Sequence, residues 1–327
     1  MKALVTGGTG FIGSHLVDHL LEEGYQVRIL ARPTSKPDYL TGKHIETTTG
    51  DLSDRHSLRT ACQDTDIIFH CAAEARDWGP HTTFIQTNLE GTRNLLDAAT
   101  LKKVPKLILM STAAVYGFPT TTQPITETSP IHPTHNYGES KYQAEQLLWT
   151  YAKEHDIQTS AIRSPLVTGP RDRLAAPFLI PAIKTHRFFT IGDGNQTLSL
   201  SDGRDVATCL FLAGEKHHSN GHVYNVKSFD TTINQLLTTV ADTLHVQPPT
   251  KHRSYRSAYM LACLAEFLYL PTRKEPPLTR HKVKVLGHTR IIDITKAEHD
   301  LGYRPHYGLT HTIDDTVIWL TSHNLLK

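Results

Sequence analysis

The sequence is short of cysteine, of long apolar runs and of any excess of charge. Its 327 residues carry 34 Lys and Arg against 32 Asp and Glu, a net charge of +2. A nucleic-acid-binding protein needs a clustered basic face, so we expect no nucleic-acid partner. The four cysteines form no C-x-x-C pair, which excludes the common zinc and disulfide frameworks and predicts buried, reduced thiols. They are Cys62, Cys71, Cys209 and Cys263.

The sequence also has no long apolar run and no metal-ligand spacing, and we expect neither a membrane span nor a leader peptide. No apolar run reaches the ~20 residues that cross a bilayer. The first strand candidate begins at once, so we expect a cytoplasmic protein. Histidine is abundant, at 21 residues, but His217 and His218 are simply adjacent and no H-E-x-x-H pattern occurs. We therefore predict no bound metal.

The strongest local signal is TGGTGFIG at residues 6–13, directly after a short apolar run. Two overlapping spacings fit it: G-x-G-x-x-G from Gly8 and G-x-x-G-x-x-G from Gly7, both through Gly10 and Gly13. Glycine permits a sharp strand-to-helix turn and lets a ligand approach the backbone. The free N–H groups and the helix dipole then favour a pyrophosphate. Alone, the pattern also fits a tight turn that binds nothing.

Strand and helix candidates alternate through the first half. The strand candidates are Ala3–Val5, Gln26–Leu30, Ile67–His70, Lys106–Met110 and Thr159–Ile162. The helix candidates are Phe11–Glu23, Ser53–Cys62, Thr83–Ala99 and Tyr137–Glu154. Strands separated by helices imply a parallel sheet covered on both faces. We therefore predict an α/β fold with a doubly wound parallel sheet, whose ligand crevice lies at the carboxyl ends of its strands.

The alternation loosens after Pro165, where proline and glycine become frequent. The clearest elements there are a helix near 202–214, a strand near 223–226 and a helix near 233–244. We predict a Rossmann core over 1–163, rejoined by about 198–228. Residues 164–197 and 229–327 would form a smaller, C-terminal substrate-binding lobe built on the edge of the sheet.

A pair of residues in NYGESKYQAEQLL carries the first chemical hypothesis. Tyr137 and Lys141 lie four apart at a predicted helix start, and so on one face. A free phenol, with a pKa near ~10, is a poor base at neutral pH, but a neighbouring ammonium lowers that pKa. Such a phenol can exchange a proton with a hydroxyl while hydride moves to or from a cofactor. Since Y-x-x-x-K is common on ordinary helices, only its context gives it weight.

That context is the order of five segments along the chain. They are the glycine loop, HCAA at 70–73, TNLEGTRNLL at 87–96, LMSTAAVYG at 109–117 and the Y-x-x-x-K pair. In this order they resemble the extended short-chain dehydrogenase/reductase superfamily over nearly the whole chain. The resemblance implies a nicotinamide-dependent oxidoreductase and a homodimer formed through the helices at 83–99 and 137–154. Core burial of those helices explains their pattern equally well.

The resemblance also assigns roles by position. Those implied for the cofactor are Gly7, Gly10, Phe11, Ile12 and Gly13 at the pyrophosphate, Asp51 and Leu52 at the adenine, Ala72 and Ala73 along its middle, and Pro165 at the carboxamide, with Ser111 as a further cofactor-binding residue. Thr112 would hydrogen-bond the reacting oxygen, with Ser111 as the fallback if the register is off by one. Tyr137 would be the acid/base. Lys141 would tune it and bind the nicotinamide ribose, and Asn88 would steady that lysine.

The residues after the second strand candidate bear on the choice of dinucleotide. NAD enzymes usually end this strand with an acidic residue that binds the ribose 2′-hydroxyl. Here Ala31 occupies that position, and Arg32 and Lys36 follow. A solvated basic turn would look the same. We favour NADP over NAD, with Arg32 and Lys36 meeting the 2′-phosphate.

Two branches of the superfamily compete for the substrate. Sugar-nucleotide epimerases and dehydratases typically place an arginine and an asparagine where this chain has Leu198 and Leu166, although Arg171 and Arg173 lie nearby. The segment PPLTRHKVKVLGHTRIIDITKAEHDLGYRP resembles the 3β-hydroxysteroid dehydrogenase-like branch instead. This resemblance implies interconversion of a secondary alcohol and a ketone on an apolar, steroid-like or long-chain substrate. A catalytically silent dinucleotide-binding regulator is a further alternative.

The apolar segment 254–270 precedes that stretch and carries only Arg256 and Glu266 as charged residues. It is too short and interrupted for a membrane span. It could be a buried helix, a lid over an apolar pocket or an interfacial helix that makes a peripheral membrane contact.

Overall fold

The computed structural model describes residues 1–35, 38–119, 123–272 and 274–326. The strands are β1 (Lys2–Thr6), β2 (Gln26–Ala31), β3 (Ile45–Thr49), β4 (Ile67–His70), β5 (Lys106–Thr112), β6 (Gln158–Ser164), β7 (Leu166–Thr168), β8 (Thr190–Ile191), β9 (Thr197–Asp202), β10 (His222–Asn225), β11 (Phe229–Thr232) and β12 (His252–Arg253). The helices are α1 (Phe11–Glu22), α2 (Arg55–Ala61), α3 (His81–Phe84), α4 (Gly91–Leu101), α5 (Asn136–Glu154), α6 (Ala176–Lys184), α7 (Gly203–Glu215), α8 (Ile233–Thr243), α9 (Tyr255–Tyr269), α10 (Arg280–Gly287), α11 (Thr295–Leu301) and α12 (Leu309–Ser322). A π-helical turn at Ile85–Glu90 and a 3₁₀ turn at Ala113–Tyr116 also bear on the site.

The main sheet is parallel throughout, and its strand order is β10-β6-β5-β4-β1-β2-β3. The order reverses between β1 and β4, which is where a doubly wound sheet opens its ligand crevice. This arrangement confirms the predicted α/β fold with a doubly wound sheet. The chain returns to this sheet late, because α7 packs against α1 and β10 pairs with β6.

Both faces of the sheet are covered, as alternation along β1 illustrates. Ala3 and Val5 point to the face packed by α1 and α7, whereas Leu4 points to the face packed by α4 and α5. All three side chains are fully buried. A rigid, two-sided core therefore fixes the carboxyl ends of β1, β4 and β5 relative to one another.

A smaller C-terminal part lies beyond β6. There β7 and β11 flank β9, and α6, α8 and α12 bury an apolar cluster beside that sheet. A second cluster joins Ile191 with Ala258 and Ala262 of α9 and Val283 of α10. The Glu266 carboxylate ties α9 to α10 by accepting from the backbone N–H and the Nε of Arg280, at 2.7 and 2.5 Å.

Three features differ from the sequence-based expectations. The strand β3 was not predicted, because four of its five residues are polar and it forms a half-exposed sheet edge. The helix expected at 83–99 is interrupted by the π-helical turn. Cys263 is exposed on α9, so the prediction of a buried thiol is wrong there; an amphipathic helix seated on small residues leaves that position outside.

The helix α9 presents its larger apolar side chains outward. Its buried residues are Ala258, Ala262 and Glu266, whereas Met260, Leu264 and Phe267 are 54–69% exposed. Within the described part of the chain, no helix combines the length and apolarity that crossing a bilayer requires. The buried-helix reading of segment 254–270 thus fits only one face of it.

Candidate active site

The glycine loop forms a close-packed cradle at the carboxyl end of β1. Gly7 has a φ of +72°, and a Cβ there would lie 2.6 Å from the backbone N of Ala72. A Cβ on Gly13 would collide with the carbonyl of Gly7, to which the N–H of Gly10 donates at 2.8 Å. Gly10, the exposed N-cap of α1, offers no side-chain cap, so the first helical N–H groups remain free for an anion. The cradle fits the pyrophosphate of a dinucleotide.

The next two residues of α1 face the protein rather than the crevice. The ring of Phe11 occupies the space that a Cβ on Gly203 would need, and Ile12 packs against the core. Their predicted contact with the cofactor would therefore come through the backbone.

The far end of the crevice is lined by the loops after β2 and β3. Ala31 ends β2 and is buried, and the Arg32 side chain is exposed beside it. Asp51 accepts from the N–H and the hydroxyl of Ser53 at 3.0 and 2.9 Å, and Leu52 is buried. These positions suit the predicted adenine end. Lys36 lies outside the described residues.

Where β4 ends, His70 joins two elements. Its Nδ1 lies 2.7 Å from the Thr6 hydroxyl and its Nε2 lies 2.9 Å from the Thr92 hydroxyl. Complete burial lowers the pKa of His70 to about 3, so the ring is neutral and structural. The backbone N–H of Ala72 donates to Thr6, which holds Ala72 and Ala73 beside the glycine cradle.

Thr112 and Tyr137 meet above the end of β5. Thr112 is the last residue of β5, and its hydroxyl lies close enough to the Tyr137 phenol, on the first turn of α5, to act on its ionisation. The Thr112 hydroxyl lowers the pKa of Tyr137, but burial acts more strongly and raises it to about 12, helped by Asp77. Lys141 does not shift the pKa of Tyr137, so the lowering expected from that lysine does not occur here.

Lys141 itself is almost completely buried, at 2% exposure. Burial lowers the pKa of its ammonium to about 8, although Glu145 one turn further along α5 opposes this. Among the described residues, none accepts a hydrogen bond from this ammonium. A buried, unpaired donor beside the crevice is what a ribose hydroxyl would satisfy.

Ser111 faces the other way. Adjacent strand residues point to opposite faces, and the Ser111 hydroxyl donates to the buried Glu145 carboxylate. The Glu145 carboxylate also accepts a hydrogen bond from Nη2 of Arg163 at 2.5 Å, and Nη1 of Arg163 donates to the Tyr116 hydroxyl at 2.8 Å. This geometry favours Thr112 over Ser111 as the partner of Tyr137.

Asn88 sits in the π-helical turn that precedes α4. Its Nδ2 donates to the Glu74 carbonyl at 3.0 Å and its Oδ1 accepts from the Glu74 N–H at 2.8 Å. A third bond, 2.9 Å long, runs to the Ser140 hydroxyl. Asn88 therefore acts on Lys141 only through α5, and its predicted steadying role would be indirect.

Four residues near Tyr137 were not singled out by the sequence. Asp77, His135 and His281 bring ligand atoms within 4.8 Å of one another, and Arg290 donates to the Ala113 carbonyl at 2.9 Å. They come from three distant segments, so no spacing rule joins them. Pro165 lies close by, because it lines a small cavity with Arg290.

The parallel sheet, the glycine cradle and the Thr112–Tyr137–Lys141 grouping define a dinucleotide-dependent oxidoreductase. Residues 3–226 match the NAD dependent epimerase/dehydratase family, and the chain belongs to that family. The extended short-chain dehydrogenase/reductase resemblance is thereby confirmed.

Individual relatives are distant and differ in activity. The chain is 28% identical to a mouse sterol-4-alpha-carboxylate 3-dehydrogenase (decarboxylating), covering 100% of this chain and 92% of that protein. It is 29% identical to a 2-alkyl-3-oxoalkanoate reductase of Stenotrophomonas maltophilia, covering 94% and 96%. A UDP-glucose 4-epimerase structure from Thermotoga maritima superposes with a TM-score of 0.80 at 25% identity, over 99% of this chain and 100% of that one.

Proposed function

We propose that the protein interconverts a secondary alcohol and a ketone on an apolar, steroid-like or long-chain substrate, with NADP(H) as the hydride carrier. The observation that carries this proposal is that the Thr112 hydroxyl and the Tyr137 phenol lie close together at the carboxyl end of β5, with Lys141 buried on the same helix as Tyr137. Two hydroxyls that converge on one point can hold a single carbonyl oxygen.

The chain's own residues account for the proton chemistry. Thr112 and Tyr137 would orient the reacting oxygen and donate to it as negative charge develops there. Tyr137, with a pKa raised to about 12, is protonated at neutral pH and is therefore ready to act as the acid in ketone reduction. In the opposite direction the phenol would need the help of Lys141. The bound dinucleotide supplies or accepts the hydride.

The preference for NADP rests on the end of β2. The last residue of β2 is Ala31 rather than the acidic residue usual in NAD enzymes, and the exposed Arg32 follows it. A guanidinium there can meet a 2′-phosphate, whereas a 2′-hydroxyl would lack its usual acidic acceptor. NAD, the cofactor after which the family is named, is the alternative.

The apolar substrate is supported from two sides. Leu166 and Leu198 replace the asparagine and the arginine that sugar-nucleotide enzymes of this superfamily typically carry at these positions. Both leucines line the small cavity beside Pro165. Arg171 pairs with Asp18 of α1 at 2.7 Å, which turns it away from that cavity. The two named relatives share alcohol–ketone chemistry on substrates that are a sterol or an alkyl chain.

A sugar-nucleotide epimerase is the second candidate, and the likeness to the UDP-glucose 4-epimerase favours it. A silent dinucleotide-binding regulator is the third, but such a protein would have no need of the Thr112, Tyr137 and Lys141 set. The test is a panel of a 3-oxosteroid, a long-chain 3-hydroxy ester and UDP-glucose, each run with both dinucleotides and followed by reduced-nicotinamide absorbance. Turnover of an apolar substrate with NADP(H) is expected. Epimerised UDP-glucose alone, or bound dinucleotide without turnover, would contradict the proposal.

A further inference from the structure

A compact group of buried charges lies behind the candidate active site. Lys141, Glu145 and Arg163 are each at most 5% exposed. Lys141 and Glu145 lie four residues apart on α5, so their side chains share one face of that helix. Removing an ion from water is unfavourable unless an opposite charge lies near it. Two buried cations therefore depend on one carboxylate here.

The Glu145 carboxylate is held from two strands of the main sheet. Its Oε1 accepts from the Ser111 hydroxyl, on β5, and from Nε of Arg163 at 3.0 Å. Its Oε2 accepts from Nη2 of Arg163, on β6, at 2.5 Å. Three donors thus satisfy both oxygens, and the paired guanidinium bonds fix the orientation of the carboxylate. Its position relative to Lys141 is therefore set by β5 and β6.

Arg163 is fixed in turn from its far side. Its Nη1 donates to the Tyr116 hydroxyl at 2.8 Å, and its guanidinium lies 4.9 Å from the centroid of the Tyr116 ring. The Tyr116 hydroxyl donates to Oδ1 of Asn225, on β10, at 2.8 Å. The ion pair thus belongs to a hydrogen-bonded network that spans β5, β6 and β10. None of its members lies in the glycine cradle or in the Thr112–Tyr137 pair.

Stability alone is a weak explanation for this ion pair. Apolar residues that fill the same volume often make a protein at least as stable as a buried ion pair does. The neighbouring Lys141 offers a better explanation, because its buried ammonium needs a nearby anion. A carboxylate one turn along the helix, already bound to Ser111 and Arg163, supplies the charge and leaves the donors of Lys141 free for a ligand.

The other titratable groups near Lys141 carry no charge at neutral pH. Burial lowers the pKa of His70 to about 3 and raises that of the Cys71 thiol to about 12. Tyr137, with its pKa raised to about 12, is neutral as well. Burial lowers the pKa of Lys141 to about 8, and Glu145 opposes this shift. In the part of the chain that the structure describes, Glu145 is therefore the anion that acts on this ammonium.

We propose that Glu145, held by Ser111 and Arg163, is the counter-charge that keeps Lys141 cationic, and that it thereby positions the ribose of the coenzyme. An ammonium offers three donors in charge-assisted hydrogen bonds, so it fixes ribose hydroxyls more firmly than a neutral amine does. This inference rests on the proposed function for its coenzyme contact. Glu145 acts through Lys141 and is a positioning residue.

The experiment follows the ionisation of Lys141 directly. Protein carrying lysine labelled with ¹³C at Cε is titrated by NMR from pH 6 to pH 10, and Lys141→Met identifies the signal. Glu145→Gln keeps the shape and removes the charge, and we expect it to lower the titration midpoint of Lys141 by about 1 pH unit or more. Glu139→Gln removes an exposed carboxylate from the same helix and should leave that midpoint unchanged.

The sign of the shift separates charge from packing. If Glu145 served packing alone, its loss would admit water, and the midpoint of Lys141 would rise toward the ordinary value near ~10.4. A rise or an unchanged midpoint in Glu145→Gln therefore overturns the inference. Should this variant fail to fold, Glu145→Gln combined with Arg163→Gln removes both charges of the ion pair, and a lowered midpoint is again expected.

Coenzyme binding gives the second readout. The Kd of the wild type for NADPH, measured by fluorescence, should rise above about pH 8 as Lys141 loses its proton. In Glu145→Gln this rise should begin about 1 pH unit lower. The same pH dependence in both proteins would overturn the positioning role. A wild type in which Lys141 titrates as expected, but which turns over no alcohol or ketone, would contradict the proposed function and leave the role of Glu145 standing.

Discussion

The Asn88 amide donates a 2.9 Å hydrogen bond to the Ser140 hydroxyl, which in turn donates to the Tyr137 carbonyl at 2.9 Å. Asn88 also bonds both backbone groups of Glu74. One side chain thus connects the loop after β4 with the first turn of α5. The π-helical turn makes this possible, since such turns displace a residue from the regular helical path.

Replacing Asn88 with Ala should displace the first turn of α5 without removing any of Thr112, Tyr137 and Lys141. We expect kcat to fall by about 10-fold and the free energy of unfolding by about 1–3 kcal/mol, because buried backbone groups lose their partners. Stopped-flow kinetics and chemical denaturation measure the two effects. Asn220→Ala removes a bond to the Thr159 N–H at the far side of the sheet. It should lower stability and leave kcat unchanged; a normal kcat in Asn88→Ala would contradict the positioning role.

The Tyr137→Phe variant tests the acid. Dinucleotide binding, measured by fluorescence, should stay near the wild-type value, whereas turnover should fall by ~10²–10⁴-fold. Tyr142→Phe, on the same helix and packed against the core, is the matched control and should keep full activity. Thr112→Val should resemble Tyr137→Phe, while Thr112→Ser should retain most activity. Full turnover by Tyr137→Phe would remove the phenol from the mechanism.

Cofactor choice should respond to Arg32. If its guanidinium meets the 2′-phosphate, Arg32→Gln loses a charge-assisted bond, and the Kd for NADPH should rise roughly 10- to 100-fold. The Kd for NADH should barely change, because NADH lacks that phosphate. Isothermal titration with both dinucleotides measures this. Arg187→Gln controls for the loss of one surface charge, and equal weakening of NADPH and NADH would speak against the assignment.

Acid should destabilise the fold through its buried histidines. Burial lowers the pKa of His15 to about 4 and those of His70, His135 and His281 to about 3. Below pH ~6.5, the ordinary pKa of histidine, these side chains bind protons in the unfolded chain but stay neutral in the folded one. The free energy of unfolding therefore falls as the pH falls, by up to about 1.4 kcal/mol per pH unit for each histidine.

The same histidines offer a direct check. His281→Phe keeps a ring against His135 and removes one titration. Its free energy of unfolding should therefore fall between pH 7 and pH 5 by about 2 kcal/mol less than that of the wild type. Urea denaturation across this range gives the slope. His299→Gln, at an exposed position, should follow the wild-type curve; an unchanged slope in His281→Phe would mean that its ring titrates normally in the folded state.

The outward apolar face of α9 gives a prediction about lipid. Arg256 leads the stripe formed by Met260, Leu264 and Phe267, and no carboxylate among the described residues pairs with it, a pattern typical of helices at an anionic membrane surface. We expect flotation with phosphatidylglycerol-containing vesicles, weakened several-fold by Leu264→Asn combined with Phe267→Ser. Ile318→Asn replaces an equally exposed residue on α12 and should change nothing. Equal flotation of all three proteins would exclude this face.

Local patterns in the sequence predicted the parts of the site that depend on neighbouring residues. The glycines at 7, 10 and 13 and the Tyr137–Lys141 pair lie within single turns, so their geometry follows from backbone rules. The parallel sheet followed from the alternation of strands and helices. The weakly apolar edge strand β3 escaped notice because its pattern is that of a loop.

The features of the site that the sequence did not predict depend on packing between distant segments. His135 and His281 stack only because α10 is folded back over the start of α5, and no spacing rule anticipates that contact. The sequence predicted a lowered pKa for Tyr137, but the pKa is raised. The cause is burial, which depends on the whole fold. The choice between the adjacent hydroxyls of Ser111 and Thr112 also depends on the fold, because the Ser111 hydroxyl donates to the Glu145 carboxylate and not toward Tyr137.

The cradle between Gly7 and Gly13 is too tight to admit a single methyl group, and its left-handed turn is built when the chain folds. Little backbone disorder then remains to be lost when a dinucleotide arrives. Capture of the coenzyme should accordingly proceed at a rate set by encounter rather than by loop rearrangement.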